Sequence, residues 1–106
     1  MSKLLIAVVH ADDSGAVAEA LREDGHRFTR LASSGGFLGS ENATFILGVE
    51  DRDEERAVAV FGRASQRREI ELPLVLLERL EDWKARTVSH GGATILIVDL
   101  ARIVRL

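Results

Sequence analysis

The sequence predicts an α+β fold, a ferredoxin-like βαβ-βαβ sandwich with two helices on one face of a sheet, and three observations carry it. The stretches "IAVVHADDSGAVAEAL" and "FILGVEDRDEERAVAV", starting at Ile6 and Phe45, each run apolar strand, acidic cap, amphipathic helix. Each is closed by a further β-prone run, "HRFTRLA" after the first and "ATILIVD" after the second, which is the pattern of two βαβ units sharing one sheet. With 106 residues, 46% of them hydrophobic, the chain supports one core, so residues 1–106 form a single domain.

Residues 4–9, "LLIAVV", are a continuous apolar run and form the first strand. Asp12, Asp13 or Ser14 caps the helix of "SGAVAEALRED", whose Val17, Ala20 and Leu21 share a face; Gly25 stands where a left-handed C-terminal cap is wanted. A second strand is expected over residues 26–32 and a third over residues 43–50. The acidic first turn of "DRDEERAVAVFGRAS" starts the second helix, with Val58, Phe61 and Ala64 buried. Residues 67–90 form an extended loop region holding the only proline, Pro73; we expect a strand from Glu69, an excursion, and a return strand over residues 86–90. The closing strand is expected over residues 93–99. Nearly every position in the runs 4–9, 43–49 and 93–98 is apolar or small, so both faces of the sheet are expected to be buried. Two helices cover only one face. Either residues 69–90 fold over the other, or further copies of the chain cover it in a closed ring such as a trimer, which is the preferred reading.

Composition narrows the function. Without cysteine there are no disulfides, thiolate metal sites or cysteine nucleophiles, which fits a cytoplasmic protein. A net charge of -3 gives no basic footprint for nucleic acid, and no apolar run approaches the roughly 18 residues of a membrane span. The aspartates after the first apolar run argue against a secretory signal. His10, His26 and His90 lack metal-ligand spacing and read as structural or exposed, although His90, beside Gly91 and Gly92, stands where a cleft is conceivable. Asp12, Asp13, Asp51 and Asp53 read as helix caps rather than paired catalytic carboxylates, and Trp83 as a packing anchor.

The segment "SSGGFLGSEN" is too long for a tight hairpin turn and carries Phe37 at its centre. On spacing alone such an aromatic folds back on its own core, Arg27 is a solvated charge and Asn42 a turn former. The wider stretch "HRFTRLASSGGFLGSENATFILGV", followed by "GGATILIV", resembles the cyclic di-AMP receptor family of PII-like bacterial signal proteins. That resemblance implies a homotrimer of ferredoxin-like subunits and a cyclic di-AMP in each cleft between neighbours. It also implies mobile loops that signal to a downstream protein, with neither enzymatic activity nor a cofactor.

Carried over residue by residue, the implied ligand contacts are Arg27, Thr29, Gly36, Phe37, Leu38, Asn42 and Gly48, to which Gly35 and Leu96 are added. If Arg27 and Thr29 share one face of their strand, a guanidinium and a hydroxyl meet a phosphate or ribose together. Gly35 and Gly36 let backbone N–H groups approach an anion. Phe37 offers a stacking platform, and Asn42 the donor and acceptor that match adenine. Gly25, Leu96 and Arg105 depart from the family pattern: Leu96 stands where an aromatic often helps to sandwich a base, and the other two where polar residues are common. Two other readings remain, a trimeric interaction module that binds no nucleotide and a PII-type regulator that binds ATP, ADP or a metal. The absence of a lysine-rich phosphate loop and of clustered histidine or cysteine disfavours the last.

Overall fold

Leu5, Ala7 and Val9 point to one side of the first strand and their neighbours to the other, and that alternation frames the molecule. The computed structural model describes residues 2–32, 42–65 and 85–104. Its strands are β1 (Ser2–His10), β2 (Thr29–Ala32), β3 (Asn42–Glu50), β4 (Arg86–His90) and β5 (Ala93–Leu100). Helix α1 (Ser14–Glu23) follows β1, and α2 (Glu54–Ala64) follows β3. The sheet is antiparallel throughout, with strand order β2-β3-β1-β5-β4. The first four of these, β2-β3-β1-β5, are the expected ferredoxin-like arrangement, and β4 is added at the edge by a hairpin to β5.

The two halves repeat one joint. Each strand passes through a single 3-10 turn, Ala11–Asp13 or Asp51–Asp53, into its helix, and the preceding residues His10 and Glu50 are both extended, at φ/ψ of -66/145 and -71/154. The expected aspartate caps are corrected here. Asp13 and Asp53 stand at the N-caps of α1 and α2, but neither side chain makes a capping hydrogen bond. The first turn is instead capped by His10, whose Nδ1 accepts from the Asp12 N–H at 3.1 Å. The carboxylates form ion pairs: Asp51 with Lys3 at 3.3 Å, and Asp53 with Arg56 at 3.6 Å.

Gly25, at φ +81, ends α1 as expected. His26 N–H donates to Leu21 O at 2.9 Å and Gly25 N–H to Arg22 O at 3.0 Å, the paired bonds of a Schellman cap. This cap, with His26 Nε2 drawn to Asp24 Oδ2 at 2.8 Å, holds residues 26–28 out of the sheet. Strand β2 therefore begins at Thr29 rather than at residue 26, and Arg27 precedes it. Strands β1 and β5 run slightly beyond their expected ends, and β4 spans the expected residues 86–90. The strand expected from Glu69, together with Pro73 and Trp83, lies outside the described residues.

One face of the sheet is closed by the helices. Leu5, Ala7, Val9, Phe45, Leu47, Ile95 and Ile97 form one cluster with Val17, Ala18 and Leu21 of α1 and Ala57, Val60 and Phe61 of α2. Of the expected helix faces, Val58, Ala20 and Ala64 pack at its margin. Phe45 is its hub, with ring centroids 5.4 Å from Phe28 and 5.9 Å from Phe61; burying such a ring contributes about 3 kcal/mol. At the end of α2, buried Ser65 donates to Phe61 O at 2.6 Å and accepts from the Gly92 N–H at 2.9 Å. This pins the β4-β5 turn so closely that a Cβ on Gly91 (φ +59) would collide with Gly62 O.

Candidate functional site

Among the described residues no helix lies over the opposite face. Register places Thr29, Ile46, Ile6, Leu96 and Thr87 in one row across it and Leu31, Thr44, Val8, Thr94 and Ser89 in the next. Val8, Thr44 and Leu96 are buried, whereas Leu4, Ile6, Ile46 and Val98 are half-buried and Leu31 is exposed.

At the rim of this sheet is a cleft of about 330 Å³ lined by Gly25, His26, Arg27, Gly48, Val49, Glu50, Asp53 and Arg56. Local structure explains how it forms. The left-handed turn at Gly25 sends the chain past the end of β3, and Gly48 adds no side chain to fill the gap. Its charges are not equivalent. Asp24 Oδ2 holds both His26 Nε2, at 2.8 Å, and Arg56 Nε, at 3.1 Å, and Arg56 also reaches Asp53. Arg27 is exposed and, among the described residues, is the cation of this cleft with no carboxylate partner. A guanidinium without a carboxylate partner among the described residues suits a phosphate, which it meets with two parallel N–H donors.

The structure thus brings Arg27 and Gly48 together, with Gly25 beside them. Thr29 opens β2 and is exposed on the open face, opposite Ile46. Asn42 stands at the other end of β3, six residues from Gly48, which is about 20 Å along a strand. Leu96 is fully buried in the middle of the open face. Gly35, Gly36, Phe37, Leu38 and Arg105 lie outside the described residues. His90 is on the helix side, its ring against Gly62 and away from the cleft.

Two contributors were missed in the sequence. The Asp24, His26 and Arg56 network draws on residues that no motif joins. The second is Ile103, whose Cδ1 would lie 2.9 Å from a Cβ on Gly48, so the C-terminal segment rests on the bare backbone there. The signal for it was the glycine itself, set in the otherwise bulky run "TFILGVE". Among the described residues no group of three or more histidine, aspartate or glutamate side chains could hold a metal, and no helix is long and apolar enough to cross a membrane.

Comparison with known proteins gives the same outline. The family model described as Cyclic-di-AMP receptor matches residues 2–106. Among solved structures, the chain is similar to a protein of unknown function from Pediococcus pentosaceus ATCC 25745, with 25% identity, a TM-score of 0.69, and 99% of this chain and 97% of that one covered. It is also similar to Arabidopsis thaliana PII bound to citrate, at 16% identity and a TM-score of 0.59, with 99% of this chain and 80% of that one covered. The latter likeness establishes the PII fold.

Proposed function

The chain belongs to the cyclic-di-AMP receptor family, and from that premise we propose that it is a bacterial cytoplasmic signal protein that binds cyclic di-AMP in clefts between the subunits of a homotrimer. Family and fold together make it a PII-like nucleotide-binding signalling protein. In the proposed cycle the ligand changes the conformation of the glycine-rich loop, a downstream protein responds, and no catalytic step is involved.

The observation that carries this reading is that Arg27 and Gly48, far apart in sequence, line the same cleft, and that Arg27 is left without a carboxylate partner among the described residues. Arg27 and Thr29 meet phosphate or ribose, the backbone at Gly35, Gly36 and Gly48 lies against the ligand, Phe37 and Leu38 stack on a base, and Asn42 reads its edge. Leu96 closes the base pocket from the sheet. The distance from Gly48 to Asn42 supports a shared site, because one compact ligand does not touch both ends of β3 in a single chain. In a ring, the Arg27 end of one copy and the Asn42 end of the next can face one ligand.

One observation favours a second reading. With Ile103 seated on Gly48, a ligand reaches that backbone only if the C-terminal segment moves, which suits an interaction module that binds no nucleotide. Calorimetric titration with cyclic di-AMP, cyclic di-GMP and ATP decides between them, with light scattering on the same samples. The proposal expects three chains per particle and tightest binding of cyclic di-AMP. A stable monomer, or heat from ATP alone, contradicts it, and no heat from any of the three selects the second reading.

A further inference from the structure

Thr44 is 1% exposed, and among the described residues its Oγ1 has no hydrogen-bond partner. A hydroxyl removed from water without a partner opposes folding, and valine would fill the same volume without that penalty. The position therefore asks for a partner that the described residues do not supply.

Strand register says where that partner would be. Thr44 pairs with Val8 of β1 and Leu31 of β2, two residues from Asn42 and two from Ile46, the partner of Thr29. Alternation puts Asn42, Thr44 and Ile46 on the open face together, so Thr44 stands next to Asn42, a position assigned to the ligand above, and one row from Thr29. Leu31, directly opposite, is 46% exposed, so solvent-facing surface reaches the edge of this residue. Thr44 also sits within "NATF", part of the stretch that carries the family resemblance, and no role has been given to it.

We propose that Thr44 is a further ligand-binding residue, its hydroxyl hydrogen-bonding the ribose-phosphate backbone of a cyclic dinucleotide held on the open face. This rests on the function proposed above. A threonine hydroxyl offers one donor and two acceptor sites, which meet a sugar hydroxyl or a phosphate oxygen equally well. Contacts to sugar and phosphate hold a ligand in place without choosing its base. Because Thr44 is buried in the free chain, its bond to ligand requires a local rearrangement at this residue, which couples the two.

Thr44→Val is the test, with ligand-free unfolding temperature and ligand affinity measured on the same samples. The unfolding temperature is expected to hold or to rise by about 2–5 °C, while affinity for cyclic di-AMP falls about tenfold. Cyclic di-GMP is expected to weaken by the same factor, and Thr44→Ser to stay within about threefold of wild type. Wild-type affinity in Thr44→Val overturns the proposal. So does marked destabilisation of that variant, which would show that the hydroxyl is already partnered in the free protein. A wild type that binds no cyclic di-AMP removes the functional reading and this inference with it, whereas binding unchanged by Thr44→Val removes this inference alone.

Discussion

On one face of β1, Leu5, Ala7 and Val9 are fully buried against α1 and α2, while on the other Leu4 and Ile6 stay half-buried between buried Ser2 and Val8. The composition of the two faces hardly differs, yet one is finished within the chain and the other is not. The helix side is held by interlocking apolar contacts centred on Phe45, and its polar bonds, such as Ser65 to Gly92, are internal. The open side carries exposed threonines and, among the described residues, a Thr44 hydroxyl without a hydrogen-bond partner and, at its rim, Arg27 without a carboxylate partner. A surface with both apolar area and unsatisfied polar groups is suited to partners that supply both, which under the proposed function are neighbouring subunits and a nucleotide.

If that division is right, substitutions on the two faces should fail in different assays. The largest effect is expected for Phe45→Ala, which removes the ring between Phe28 and Phe61 and should cost about 3–5 kcal/mol of stability in chemical denaturation. Arg27→Ala should leave stability unchanged while weakening cyclic di-AMP binding by about 2 kcal/mol or more in calorimetry. Equal affinity in mutant and wild type would return Arg27 to a surface charge. Asn42→Ala comes next. It should erode a preference for cyclic di-AMP over cyclic di-GMP of about 1–3 kcal/mol, because guanine presents an acceptor where adenine presents its amino donor.

The smallest effect is expected at the rim, where Lys3 Nζ lies 2.6 Å from Asp99 Oδ1. The hydrogen bond to Lys3 holds the Asp99 carboxyl below its usual range, and the bond to Asp99 raises the Lys3 ammonium against the opposing effect of desolvation. The lowered carboxyl makes its contribution present above the ordinary aspartate range and lost as pH falls through its folded value. The raised ammonium makes the pair's contribution present below the ordinary lysine range and lost as pH rises through its folded value. Asp99→Asn should therefore be slightly less stable than wild type near neutrality, and urea midpoints of the two should converge in strong acid. A difference that persists there would assign the effect to packing.

Much of the fold was legible because it rests on period and caps. The echo between the stretches beginning at Ile6 and Phe45 became two equal strand-turn-helix joints, and Gly25 became the left-handed cap it was read as. The misreadings were local competitions that pattern does not register. His10 caps a 3-10 turn that the aspartates were expected to cap, and the Asp24 and His26 pair holds Arg27 out of β2. The candidate site was legible only through resemblance, which supplied Arg27 and Gly48 as a pair. Burial supplied Thr44, because a hydroxyl without a partner shows only once the strands are in register. The seat of Ile103 on Gly48 joins residues with no shared pattern, so nothing in the chain's order announced it.

Methyl-resolved NMR of the isotopically labelled protein, titrated with cyclic di-AMP, separates the two faces residue by residue. The largest shifts should fall on Ile6, Leu31 and Ile46 of the open face, with Ile103 responding where it rests on Gly48. Leu5, Leu47 and Ile95, packed on the helix side, should scarcely move. Shifts concentrated on those three and on Val17 and Leu21 of α1, with the open-face methyls unchanged, would contradict the division of the molecule into a finished face and a binding face.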